Sequence, residues 1–188
     1  TCTTSFQTSG ANRSNNIVVG ASRLNNLIVL PGQTVSVSDT ILPRTRANGY
    51  KEAGVYVNGA HTSGLGGGVC QISSTVYNAV KNAGLTVVQR NPHSMPVSYL
   101  PKGLDAAIAA GSKDLKFRND YTTPVVLYTD TSNKHLTVNV LVWNQELAGR
   151  SFKLWAKQTG ALSADTYFTT YLNGKEISTQ FVGTSRYN

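Results

Sequence analysis

Cys70 is the residue of this chain best placed to do chemistry. It follows a glycine-rich run, Gly64-Leu65-Gly66-Gly67-Gly68-Val69, and precedes a segment in which Ile72, Val76, Ala79, Val80 and Ala83 recur at helical spacing. The pattern predicts a helix that opens at the cysteine and ends at Asn82-Ala83-Gly84. Unpaired N–H groups and the helix dipole at such a start favour negative charge. A thiol there is expected to be acidic and therefore nucleophilic. The glycines permit positive φ and are expected to leave room for a substrate. A cysteine on an apolar-faced helix also serves as a small core residue, and spacing alone leaves both readings open. A phosphate-binding loop is excluded, because no Gly-Lys-Ser/Thr follows the glycines.

A thiol nucleophile needs a base, and the chain has 3 histidines. His135 falls in an expected hairpin turn and reads as solvated. His61 precedes the cysteine in a glycine-rich segment. His93 lies in the loop Arg90-Asn91-Pro92-His93-Ser94-Met95-Pro96, after the strand expected to follow the Cys70 helix. A helix and its following strand can return the chain to where the helix began, which makes Cys70 and His93 a candidate nucleophile–base pair. A loop-capping His93 is the plainer alternative. Zinc held by Cys70, His93 and Asp105 is conceivable, but the chain shows no closely spaced ligand pair. Neither a metal nor another cofactor is expected.

The elements around these residues are read in order. The first thirteen residues are polar and extended, and Cys2 sits at a frayed end. Ser14 caps a helix over about 15–26, with Ile17, Ala21, Leu24 and Leu27 or Ile28 facing inward. Strands are expected at 35–38, 55–57 and 85–89, turns at Leu30-Pro31-Gly32-Gln33 and Asn58-Gly59, and a basic loop over 43–50. Ala106 to Ala109 and 115–119 read as short strands, and 125–129 with 136–143 as a hairpin. Strands at 152–156, 167–172 and 177–182, with the turn Asn173-Gly174, complete the chain. The class is α+β: a mixed sheet with a few helices, a glycine turn leading to the Cys-bearing helix, and a C-terminal β extension. The expected division is 1–144 for the chemistry-bearing domain and 145–188 for the extension packed on it.

At 188 residues, 40% hydrophobic and 14% charged, the chain is globular. The net charge of +8 suits an anionic polymer. Its lysines and arginines are scattered and no nucleic-acid motif occurs, so nucleic acid is not an expected partner. No stretch is apolar enough to span a membrane. The chain starts at Thr1, so any signal or anchor is expected upstream. The two cysteines make no disulfide framework.

Gly66-Gly67-Gly68-Val69-Cys70-Gln71-Ile72-Ser73-Ser74-Thr75, then Arg90-Asn91-Pro92-His93-Ser94, Ser98-Tyr99, Gly103-Leu104-Asp105-Ala106 and Leu115-Lys116-Phe117-Arg118-Asn119, resemble the VanW domain family. Asn12-Arg13, Asn16-Ile17, Pro31-Gly32 and Gly49-Tyr50 with Ala53 fit as well, so the resemblance covers about residues 4–143. The late Ser185-Arg186-Tyr187 resembles the tail that often follows that domain. The family occurs in cell-surface proteins of Gram-positive bacteria, and its members are regarded as peptidoglycan L,D-transpeptidases. The resemblance implies Cys70 as nucleophile, His93 as general base and Asp105 as the residue orienting His93, a role open also to Asn119. It implies Gly68, Gln71, Arg90, Ser94 and Asn119 as substrate-binding positions, with Arg90 suited to a carboxylate. Peptidoglycan stem peptides are then the expected partners of a monomeric, extracellular, wall-associated protein. A non-catalytic module binding wall peptides or glycopeptide, and a cysteine peptidase acting on the same peptides, are the alternatives.

Overall fold

In the computed structural model, which describes residues 1–57 and 60–188, the chain begins not with a frayed end but with a strand, β1 (Cys2–Ser5). Helix α1 (Ala11–Ser22) starts earlier than predicted, with Gly10 as its N-cap and Ser14 inside it. Ile17, Ala21 and Leu24 are buried as expected. Ile28 is 58% exposed, because it lies on β2 (Leu27–Val29), where alternation turns Val29 inward instead. Strand β3 (Thr34–Ser36) takes only the start of the strand predicted over 35–38. There the Ser36 hydroxyl accepts from the Asp39 N–H at 3.0 Å and caps a short helix, α2 (Val37–Ile41). A 3-10 turn, Arg46–Asn48, lies inside the predicted loop.

Next come β4 (Glu52–Val57) and β5 (Ala60–Leu65), paired antiparallel. The expected Asn58-Gly59 turn lies outside the described residues. Then follow α3 (Val69–Asn82), β6 (Thr86–Gln89), β7 (Lys116–Arg118), β8 (Val125–Asp130) and β9 (His135–Leu141). His135 therefore opens a strand rather than occupying a solvated turn, and its Nδ1 lies 2.9 Å from the Asn133 carbonyl. The chain closes with the short α4 (Asn144–Leu147) and a meander, β10 (Arg150–Gly160), β11 (Ser163–Leu172) and β12 (Lys175–Arg186). Asn173 and Gly174 both take positive φ at the β11–β12 turn, as the Asn-Gly pair predicts.

The class is the expected α+β, with the strands divided among antiparallel sheets ordered β1-β9-β8-β2, β3-β7-β6, β4-β5 and β10-β11-β12. Helix α3 runs among them and touches α1, β1, β6, β9 and β10. That position accounts for its composition. Ile72, Val76, Ala79 and Val80 are buried on one face, and burying an Ile or Val side chain stabilises by roughly 1.5–3 kcal/mol. Gln71, Ser73, Ser74, Thr75 and Asn78 are buried too, so their polar atoms must find partners inside the protein.

Those partners fix the neighbouring chain. Gln71 donates to the Thr4 hydroxyl and the Ser5 carbonyl at 3.0 and 2.9 Å. Thr75 and Thr4 share a hydroxyl bond of 2.9 Å, which ties β1 to the helix. Ser73 and Ser74 both donate to the Ala106 carbonyl, at 2.5 and 3.2 Å, and Asn78 donates to the Leu104 carbonyl at 2.7 Å. Residues 106–108 are therefore extended and buried but belong to no sheet. Helix side chains take the place of a partner strand, and the expected strand at 106–109 is reduced to a bridge between Ala109 and Lys113.

The entry to α3 is pinned by Asn16 of α1, which is wholly buried. Its amide donates to the Gly67 and Lys51 carbonyls at 2.9 and 2.8 Å and accepts from the Lys51 N–H at 2.8 Å. Asn16→Ala takes the side-chain partner from the buried Gly67 carbonyl and from the Lys51 N–H, while the Lys51 carbonyl keeps the Gly66 N–H at 3.1 Å. The substitution is expected to destabilise the protein by about 1–3 kcal/mol, read from the midpoint of urea unfolding. An unchanged midpoint would mean that the turn holds without this residue.

Candidate functional site

The glycine turn that delivers Cys70 is packed against the protein itself. A Cβ at residue 67 would stand 2.6 Å from the Gly54 carbonyl oxygen, and one at residue 68 would stand 2.9 Å from Arg13 Cγ. The room these glycines make is filled by β4 and α1 rather than kept for a substrate, a correction to the expectation from sequence. Gly66 and Gly68 also need positive φ, +81° and +108°. Gly68 is the N-cap of α3. The N–H groups of Val69 and Gln71 donate to the Gly66 and Gly68 carbonyls at 3.3 and 3.1 Å. The Cys70 N–H has no backbone acceptor outside the helix among the described residues.

Cys70 is half-buried. Its sulfur lies 3.4 Å from the carbonyl oxygen and 3.5 Å from the N–H nitrogen of Ile108, in the segment that Ser73 and Ser74 clamp. His93 acts on the same sulfur, lowering the thiol while the thiol raises the imidazole. The His93 Nδ1 is 2.7 Å from Asp105 Oδ2, which leaves Nε2 for the thiol. Thiol, imidazole and carboxylate are thus neighbours. Among the described residues no cluster of three or more His, Cys, Asp or Glu side chains is arranged to hold a metal ion.

Asp105 is 1% exposed, and a buried carboxylate needs several donors. Besides the His93 ring, Oδ2 accepts from the His93 N–H at 2.7 Å. Oδ1 accepts from the Tyr187 hydroxyl at 2.5 Å and from Arg90 at 3.4 Å. The Tyr187 hydroxyl in turn accepts from the Gly103 N–H at 2.7 Å. Tyr187 follows β12, so the C-terminal sheet contributes to the site. Neither Tyr187 nor Ser185 is a candidate on sequence grounds, and a tyrosine–carboxylate contact this far apart along the chain leaves no spacing signal.

The charges follow from these contacts. Burial pushes Asp105 up, but its bonds from His93, Tyr187 and Arg90 outweigh burial and hold it at about 2. Burial pushes His93 down, but Asp105 and Cys70 raise it to about 9. Burial also pushes the Cys70 thiol up. The hydrogen bond and charge of His93, the Ile108 N–H and the Arg44 guanidinium bring it below the ordinary value. His93 is thus held toward its charged form and Cys70 toward its thiolate. Cys2 is the contrast: burial raises it to about 11 against the pull of the amino terminus.

The remaining sequence candidates divide. Ser94 lies in the His93 loop, where its carbonyl accepts from the Asn188 N–H at 2.7 Å. Arg90 is close by, but it donates to the Asp105 carbonyl at 2.7 Å, to the Ser185 hydroxyl at 2.9 Å and to the Gly103 carbonyl at 3.3 Å. Its guanidinium holds the Asp105 loop to the C-terminal sheet instead of offering a fork to substrate. Gln71 is buried beneath the helix on β1. Asn119 is wholly buried, donates to the Val29 and Thr123 carbonyls and accepts from the Tyr121 N–H. It neither touches His93 nor faces a substrate. Gly68 acts through the turn.

Fold and site together define an α+β protein organised on a Cys70–His93–Asp105 relay at the head of a buried helix. The chain belongs to the VanW family, whose family model, VanW like protein, matches residues 12–141. It is 43% identical over 124 residues to the uncharacterized protein YoaR of Bacillus subtilis, covering 66% of this chain and 41% of that protein. It is 36% identical over 110 residues to the vancomycin B-type resistance protein VanW of Enterococcus faecalis, covering 56% of this chain and 40% of that one. The chain thus spans about two-fifths of the length of these relatives. No solved structure matches it.

The charge arrangement predicts a selective alkylation. Iodoacetamide at pH 7 is expected to modify Cys70 once and leave Cys2 untouched, with the rate rising through an inflection below the ordinary thiol value of about 8.5. Asp105→Asn removes the carboxylate that keeps His93 charged. The His93 titration, followed by NMR, is expected to fall from about 9, and the Cys70 inflection to move up. An unshifted Cys70 inflection in that variant would show that the relay does not set the thiol's acidity.

Proposed function

We propose that this protein is a peptidoglycan L,D-transpeptidase working through a Cys70 thioester. The observation that carries the reading is the Cys70 thiol beside His93, whose ring is backed by the buried Asp105 carboxylate, at a helix start whose Cys70 N–H is left to receive an oxyanion. The Cys70 thiolate attacks the carbonyl of the third residue of a wall stem peptide. The tetrahedral oxyanion forms against the Cys70 N–H, and a donor of this kind contributes about 3–4 kcal/mol in other enzymes. The bond to the terminal D-alanine breaks as His93 gives its proton to the leaving amine. The amine of a second stem then attacks the thioester, neutral His93 takes its proton, the new amide forms, and the thiolate is released. Asp105 holds the His93 ring with Nδ1 turned inward throughout. Membership of the VanW family supports the wall as the setting, since one relative is named for resistance to vancomycin, a wall-directed antibiotic. The net charge of +8 suits an anionic wall and an extracellular location.

Intact-mass measurement after incubation with a stem tetrapeptide is expected to show an adduct equal to the donor minus D-alanine, absent in Cys70→Ala. A second stem in the mixture is expected to become cross-linked. Free tripeptide as the sole product would make the protein a peptidase. His93→Ala is expected to slow release of the adduct by about 10²–10⁴ and more than its formation, because the helix start still favours the thiolate while the acceptor amine has lost its base. Turnover retained in folded Cys70→Ala would end this reading.

A further inference from the structure

Arg90, the arginine expected to meet a substrate carboxylate, is held by the scaffold, which directs attention to the other guanidiniums. Arg46 pairs with Glu52 at 2.6 Å, and Arg118 pairs with Asp120 at 2.5 Å. Arg13 donates to the Ser9 hydroxyl at 2.6 Å and lies over the Tyr99 ring, with its centre 5.9 Å from the ring centroid. Arg44 is different. Its Nη1 is buried and has no hydrogen-bond partner among the described residues. The stem of Arg44 lies on the glycine turn, with Cδ 2.8 Å from where a Cβ at residue 66 would stand. The Gly66 carbonyl accepts from the Val69 N–H at the mouth of α3, so this stem lies on the turn that presents Cys70.

A buried guanidinium nitrogen without an acceptor is costly, and the missing acceptor is what a ligand supplies. Asp105, the buried acid of the site, already accepts from His93, Tyr187 and Arg90, so it does not compete for Arg44. The reaction proposed above brings the donor's terminal carboxylate close to the sulfur. The leaving D-alanine carries its α-carboxylate one residue beyond the attacked carbonyl, a Cα–Cα step of about 3.8 Å. The cation that holds this carboxylate must therefore lie near the nucleophile, and Arg44 packs on the glycine turn that leads into Cys70.

We propose that Arg44 binds the free terminal carboxylate of the donor peptide, so that the site takes peptides that end one residue after the attacked carbonyl. This rests on the transpeptidase reading for its substrate. The carboxylate closes the open Nη1 with a charge-assisted bond and sets the scissile carbonyl over Cys70. Arg44 also serves as a gauge of substrate length: a chain that continues past this point brings a neutral amide to the guanidinium.

The test uses the Cys70→Ala protein, which binds without reacting, and an L-Ala–γ-D-Glu–L-Lys–D-Ala tetrapeptide made as the free acid and as the C-terminal amide. Calorimetry is expected to show the acid binding on the order of 10-fold more tightly than the amide. Arg44→Gln, added to Cys70→Ala, is expected to bring the acid down to the affinity of the amide and leave the amide unchanged. Arg44→Lys, which keeps the charge but not the fork, is expected to fall between. An acid-to-amide ratio that is unchanged in Arg44→Gln, or no binding of either peptide, overturns the proposal. The transpeptidase reading fails separately, if the wild-type protein binds the acid yet never forms the thioester adduct.

Discussion

A carboxylate taken out of water must be surrounded by donors, and in this protein that requirement falls on Asp105. Its partners come from three parts of the chain: the loop carrying Arg90 and His93, the turn at Gly103 reached through Tyr187, and the tail beyond β12. Each partner is fixed in place because the buried charge needs it. The orientation of the His93 ring is a by-product of that demand. The ring and the backbone N–H of the same residue both bond to Oδ2, so the imidazole is held at two points by one oxygen.

Helix α3 answers the other half of the problem, how to hold a thiol still at the end of a helix. Its side chains work in place of sheet pairing. Ser73 and Ser74 grip Ala106, Asn78 grips Leu104, and Ile108 is thereby carried up to the sulfur. On the opposite side Thr75 and Gln71 grip β1. At the N-terminal end the missing Cβ of residue 67 lets the backbone of β4 approach, and Asn16 bonds across the gap. The Ser-Ser-Thr that follows Cys70-Gln71-Ile72 is thus a set of clamps and not a second group of nucleophiles.

The strong periodic signals were readable in the sequence: the Cys70 helix and its glycine exit, the 125–141 hairpin, and the Asn173-Gly174 turn. Each is set by local spacing or by a residue that the backbone geometry demands. Misreadings came where a side chain overrode the local pattern. Ser36 turned an alternating run into a helix by capping it, and the serines of α3 kept 106–108 out of any sheet. Cys70 and His93 could be singled out by residue type and position after turns, Asp105 came with the family resemblance, and the three do come together. Asn119 and Gln71 could not be judged in this way, because burial decides whether an amide serves a ligand or the fold. Tyr187 and Arg44 escaped notice for the opposite reason. Neither belongs to a local pattern, and each matters only through what the fold brings beside it.

The reach of Tyr187 into the Asp105 pocket bears on where this protein can be cut. The family match ends at residue 141, but the hydrogen-bond network of the site runs on to residue 187. A fragment trimmed to the matched region would keep the thiol, the imidazole and the carboxylate, yet strip Asp105 of the Tyr187 hydroxyl and Arg90 of its bond to Ser185. Recombination among relatives meets the same limit. A new C-terminal sheet can be grafted onto this core only if it arrives with a hydroxyl positioned for that buried carboxylate.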